Sequence, residues 1–234
     1  MLRLWEHPDL HFSFPTIKKA GTSSGYKPVS DDFAKPWHEL IMRGPYFSIE
    51  QWLRQMGATT QQGIITAREG DELLRKLSLK SSLGGYKVSI IWLPERASEE
   101  FSNGILKLLE EPPQHTVFML VSEEPDLLLD TIRSRTQRID VKPIGETSLA
   151  EALQTRRGLD EATARQVARV AQGSWLEAMQ ILSPNNENAD FLEMFQKLMR
   201  LCYMRDIGGL KTWSQQAAEL GREKEKRMLS YFLE

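Results

Sequence analysis

The 234 residues carry 30 Lys plus Arg against 32 Asp plus Glu, a formal charge of −2, so the overall balance gives no case for nucleic acid or an anionic membrane as a direct partner. No apolar run approaches the ~20 residues that cross a bilayer, and Met1-Leu2-Arg3-Leu4-Trp5 is too short for a signal peptide, so a cytoplasmic protein with no membrane partner is expected. The single Cys202 excludes an internal disulfide and a cysteine-based zinc cluster, and the scattered histidines leave acid–base, metal and nucleophile catalysis without a constellation.

Taken in order, the first element is a short strand around Leu10, Phe12 and Phe14, which alternate with His11 and Ser13. His7, Asp9 and His11 invite a metal reading, but the alternation is that of an ordinary strand. Lys18 to Lys35, with its lysines, serines, glycines and a Lys27-Pro28 step, reads as a loop. A short helix begins at Pro36. A firmer one spans Ser48 to Met56, capped by Ser48, with Ile49, Trp52, Leu53 and Met56 in a stripe that reads as core rather than as a base-stacking platform. Thr66–Leu79 is a further helix, with Leu73, Leu74 and Leu77 expected on its buried side. Gly84-Gly85 turns the chain into the segment that organises the rest.

That segment runs from Lys87 to Asp140. Val88–Leu93 and Thr116–Val121 are β-branched, apolar and of buried-strand length. Between them Ser98 caps a helix to about Glu110, with Phe101, Ile105, Leu108 and Leu109 on one side and Pro112-Pro113 ending it. Strand, crossover helix and strand make a βαβ unit, hence a parallel sheet whose ligand edge lies at the strand C-termini. Those ends carry Pro94-Glu95-Arg96 and Ser122-Glu123-Glu124, and Arg133-Ser134-Arg135 precedes another expected short strand at Gln137–Val141. After Pro143 the pattern becomes purely helical: Glu146–Thr155, capped by Thr147 or Ser148, then Asp160–Gln172 and Ser174–Leu182. Ser183 to Asn188 reads as a linker, and Ala189–Met204 and Leu210–Leu229 as two amphipathic helices. Arg222, Lys224, Lys226 and Arg227 read as a solvated helix face.

At LLEEPP (Leu108 to Pro113), the hydroxyl residue Ser122 after the next strand, and the Ser134-Arg135 pair, the chain resembles the core of clamp-loader AAA+ subunits, most of all the delta-prime family of bacterial DNA polymerase III. The match is specific over Lys87–Arg138 and looser to about Leu182. The resemblance implies a partial AAA+ α/β domain over residues 1–143, a three-helix lid over 144–183, and the start of a helical collar over 184–234. In the family a P-loop and a zinc module precede the strand that contains His7-Pro8-Asp9. Here the chain begins after both, which implies an N-terminally truncated member. Without the P-loop strand, Thr116–Val121 and Gln137–Val141 are expected to face each other across a gap.

The resemblance also says what the nucleotide site should contain. No G-x-x-x-x-G-K-[ST] occurs. The positions of the Mg²⁺-holding Asp-Glu pair are Trp92 and Leu93, and the lid arginine is replaced by Leu176. Ser122 stands at sensor 1. Neither ATP turnover nor tight ATP binding is expected, and no cofactor or metal. Arg135 is implied as an arginine finger acting with Ser134 on an adjacent subunit, with Thr136 where cysteine is usual; its plainer role is an ion pair with Glu123 or Glu124. Arg133 and Arg138 read as structural. The implied partners are the ATPase subunits and the delta-type subunit of the ring, with the sliding clamp and primed DNA reached through the assembly. Two alternatives stand beside this reading: a fragment of an AAA+ ATPase whose P-loop lies in a missing N-terminal segment, and a helical DNA-binding module, which would need a basic stripe.

Overall fold

A computed structural model describes residues 5, 7–19, 21–23, 25–58, 61–183 and 187–233. They form two compact units, Met1–Asp140 and Val141–Glu234.

The first unit is built on a parallel three-stranded sheet, β1 (Leu10–Ser13), β2 (Lys87–Trp92) and β3 (Thr116–Val121), with β2 in the middle. The register pairs Phe12 with Ile90 and Ile90 with Met119. Helix α4 (Glu99–Glu110) makes the β2–β3 crossover, and the Ser98 hydroxyl accepts the Phe101 N–H to cap it, as the sequence indicates. Together with α3 (Ala67–Ser78) it covers one sheet face, where Leu73, Leu77, Ile91, Phe101, Ile105 and Ile132 form a buried core. Leu74 is exposed, against expectation. The buried row of α3 advances by four through Glu69, Leu73 and Leu77, and Leu74 lies about 100° around the helix from it.

An aromatic core lies beside β1, between it, α1 (Ala34–Arg43) and α2 (Ile49–Gln55). Trp37 stacks on Phe14 at 4.0 Å between centroids, and Trp52, fully buried, donates its indole N–H to Pro15 O at 2.7 Å. The α2 stripe is therefore core. The loop expected through Lys35 ends early, in a single 3₁₀ turn at Ser30–Phe33, and α1 starts at Ala34. Two anchors stop the chain there: the Ser30 N–H donates to Glu69 at 2.6 Å, and Phe33 is buried. Pro36 falls in the first turn of α1, where a missing N–H breaks no helix bond.

Residues 137–141 form no strand, and Ile139 and Val141 are exposed. Among the described residues β3 pairs with β2 alone, so the expected gap has a strand on one side only. A five-residue segment with no ladder partner satisfies its backbone groups with water instead. β3 leaves Val117, Met119 and Val121 at 42, 50 and 46% exposure along one face.

In the second unit α6 (Glu146–Arg157), α7 (Glu161–Val170) and α8 (Trp175–Ile181) pack Leu149, Leu153, Ala164, Ala168 and Ala178 together. Asp160 and Ser174 cap α7 and α8 through the N–H groups of Thr163 and Glu177. Helix α6 begins at Glu146, two residues earlier than a Thr147 cap and three earlier than a Ser148 cap would allow: Gly145 is the residue before it, so Thr147 and Ser148 lie inside its first turn. Helix α9 (Glu187–Met204) follows; residues 184–186 of the expected linker lie outside the described residues. The helix expected over Leu210–Leu229 is two helices, α10 (Ile207–Glu219) and α11 (Arg222–Leu233), because Gly221 reverses the chain at φ +79°. Phe191, Trp213, Ala217 and Met228 fill the space between the three.

Candidate functional site

The C-terminal ends of β2 and β3 lie side by side, with Trp92 registered on Val121 and the Leu93 N–H donated to Val121 O at 2.8 Å. Trp92 leans on Trp37 and Phe47, at 5.3 and 5.1 Å between centroids. Leu93 takes a left-handed conformation at φ +53° and turns its side chain into the aromatic core. That backbone costs about 1–2 kcal/mol, which full burial of a leucine, about 1.5–3 kcal/mol, offsets. Both side chains thus pack as hydrophobes at the strand end.

The charged groups there are mostly acidic, with Arg96 the one basic side chain in the two segments Pro94–Arg96 and Ser122-Glu123-Glu124. Glu95 Oε1 accepts the N–H groups of Glu123 (2.9 Å) and Glu124 (3.3 Å), joining the two loops. Partial loss of water raises the Glu123 pKa, and the nearby Glu95 and Glu50 carboxylates raise it further, against a smaller opposing effect from Arg96. A triphosphate placed against these strand ends would meet carboxylates rather than a lysine and a glycine-rich cradle. Ser122 Oγ is buried and has no hydrogen-bond partner among the described residues. Leu176 lies half-buried in α8 of the second unit.

Arg135 follows the short helix α5 (Asp130–Arg133), which is pinned from below by the buried Ile132. The Ser134 N–H donates to Asp130 O, the Arg135 N–H to Ile132 O, and the Thr136 hydroxyl to Ile132 O at 3.0 Å, so the turn is fixed by its own backbone. The Arg135 side chain is 31% exposed and the donors of its guanidinium are mostly engaged. Nε donates to Glu110 Oε1 at 2.6 Å, and Nη2 forms an ion pair with the same oxygen. Nη1 donates to Thr131 O at 2.8 Å and Ser134 Oγ at 3.3 Å. The carboxylate partner is therefore Glu110, the last residue of α4, and not Glu123 or Glu124. Sequence reasoning missed it because the two residues are 25 apart and meet only when α5 docks beside α4; the Glu110-Glu111-Pro112-Pro113 string was the available signal. Arg133 pairs with Asp130 at 3.3 Å, and Arg138 with Asp140 at 2.7 Å.

His7, Asp9 and His11 do not converge. The Asp9 carboxylate accepts the Ser82 and Leu83 N–H groups and the Ser81 hydroxyl, and the Ser82 bond chiefly lowers its pKa. His7 Nδ1 accepts the Asp9 N–H at 3.1 Å.

The profile of a family described as DNA polymerase III, delta subunit, matches residues 39–145, which include the strand ends, Glu110 and Arg135. The delta' subunit of DNA polymerase III from Escherichia coli (strain K12) is 32% identical over 120 residues, covering 50% of this chain and 35% of that protein. The tau subunit from Bacillus subtilis (strain 168) is 32% identical over 137 residues, covering 55% and 23%. The chain thus spans about a third or less of the length of these curated relatives. Among solved structures, a gamma subunit-related protein of DNA polymerase III from Thermotoga maritima superimposes with a TM-score of 0.36 at 22% identity, over 57% of this chain and 47% of that one.

Proposed function

We propose that this chain, whose residues 39–145 match the DNA polymerase III family and resemble its delta' subunit, is a non-catalytic, delta-prime-like clamp-loader subunit lending Arg135 to the ATP of a neighbouring subunit. The observation that carries the reading is the contrast between two places in the matched segment. The strand ends hold Trp92, Leu93 and a group of carboxylates with Arg96 beside them, whereas Arg135 stands at the surface on a turn tied to the core through Ile132. Polyphosphate chemistry needs cations and oriented N–H donors. At its own strand ends the chain sets Arg96 among the carboxylates of Glu95, Glu123 and Glu124, whereas Arg135 sits on a separate surface turn.

In this reading residues 1–143 are a partial AAA+ domain, 144–183 its lid and 184–234 the start of a collar. The chain acts in the cytoplasm within a ring of ATPase subunits and a delta-type subunit, and meets the sliding clamp and primed DNA through that ring. Phosphoryl transfer leaves little covalent work to the protein, so a well-placed cation carries much of the stabilisation. Arginine fingers contribute ~10³–10⁵ in rate, and a ring with several such sites should show less for any one.

The test is Arg135→Ala in the subunit reconstituted with its ATPase partners, with assembly checked by gel filtration. Folding should change by no more than ~1 kcal/mol, as for an exposed ion pair, while clamp- and DNA-stimulated hydrolysis falls. Arg135→Lys should recover only part of the rate, since a point charge cannot reproduce the planar fork. Normal assembly with wild-type hydrolysis in the alanine variant would reduce Arg135 to a surface residue.

A further inference from the structure

We propose that Glu110 is the positioning residue of Arg135, an inference that rests on the finger reading above. A guanidinium can meet a phosphate across either of two edges, the side edge formed by Nε and Nη2 or the end formed by Nη1 and Nη2. Glu110 occupies the side edge through one oxygen. The end edge is held only by local groups, with Nη1 on Thr131 O and the Ser134 hydroxyl, the latter at a long 3.3 Å. Ser134 Oγ has a second use for its own hydrogen, donated to Thr131 O at 3.1 Å. The arrangement fixes the plane of the guanidinium and leaves the end edge to be taken by an incoming phosphate oxygen, which would replace Ser134.

The placement of Glu110 argues that it does more than decorate the surface. It closes α4, and a carboxylate at a helix C-terminus faces the negative end of the helix dipole. Glu111, the residue after it, adds a like charge. A cation is what this position lacks, and Arg135 supplies it. Conversely, an arginine side chain carries large rotamer freedom, and one already ordered by a fixed carboxylate reaches the transition state without first losing it. Both ends of the pair are anchored: α4 by Phe101, Ile105 and Leu108, and the Arg135 turn by Ile132.

The experiment crosses Glu110→Gln with Arg135→Ala in the reconstituted loader and measures stimulated ATP hydrolysis. The Glu110→Gln subunit should assemble normally and lower kcat by up to about a hundredfold with KM for ATP unchanged, as when an interaction made only in the transition state is misaimed. In the Arg135→Ala background the same change should add nothing. Glu110→Asp, which keeps the charge one methylene shorter, should recover part of the rate. On the chain alone, the ¹⁵N-detected Hε of Arg135 should exchange slowly with water in the wild type and quickly in Glu110→Gln. Wild-type kcat in Glu110→Gln beside a slow Arg135→Ala overturns the positioning role alone. An equal loss in the Arg135→Ala background shows that Glu110 acts elsewhere, and a rate increase makes it a brake; either result overturns the proposal. An Arg135→Ala loader with full activity overturns both this role and the finger.

Discussion

Glu69 and Asp9 are both buried carboxylates, yet their environments push them in opposite directions. Asp9 gathers two backbone N–H groups and a hydroxyl, which favour the ion and tie the Ser81–Gly85 turn to the start of β1. Glu69 accepts from the Ser13 hydroxyl at 2.8 Å and the Ser30 N–H, but loss of water on burial dominates and raises its pKa. A carboxyl with a raised folded-state pKa contributes its full stability below the unfolded value and loses it as pH climbs through the folded one. Urea midpoints of the wild type and of Glu69→Gln, compared from about pH 4 to about pH 8, should therefore shift in favour of glutamine as pH rises. A gap that stays constant across that range would mean Glu69 is ionised in the folded state with no penalty.

At the scale of elements, the α6–α8 bundle turns on Gly173. It sits at φ +86°, its carbonyl accepts the Ile144 N–H at 3.0 Å, and a Cβ there would lie 2.6 Å from both Ile144 O and Pro143 Cβ. Gly158, at φ +69°, closes α6 with nothing within 4 Å of the same atom. Gly158→Ala should cost about 1 kcal/mol, the backbone strain alone, and Gly173→Ala about 2–4 kcal/mol, strain plus a clash with the backbone. Equal losses in chemical denaturation would mean the Pro143–Ile144 strand of chain simply moves aside. These elements also mark what the sequence could tell. β2, α4 and β3 were legible to within a residue because short β-branched apolar runs, the Ser98 cap and Pro112-Pro113 are local signals. The start of α1 was not, since it depends on Ser30 reaching Glu69. Nor was the absence of a strand at 137–141, because strand propensity says nothing about whether a partner lies alongside. At the site, the apolar nature of Trp92 and Leu93 could be read directly, but the carboxylate that holds Arg135 could not.

At the scale of the molecule, the feature with the widest reach is the outer edge of β3. Its six residues contain no charge and no proline, the devices with which proteins usually blunt such an edge, and Val117, Met119 and Val121 add an apolar stripe. Met119→Lys should leave the fold intact and lower the tendency of the chain to self-associate, seen by light scattering as a loss of concentration dependence in the apparent mass; an unchanged dependence would place the association elsewhere. The consequence extends to how long the protein survives in use. Where the unfolded or loosened chain adds onto such an edge faster than it refolds, the lifetime is set by a rate and by how much protein is present. Heating scans should then give midpoints that drop at higher concentration and rise with faster scanning. A companion subunit that covers the strip would extend the useful life of the chain in proportion to its own abundance, so durability belongs to the mixture as much as to the molecule.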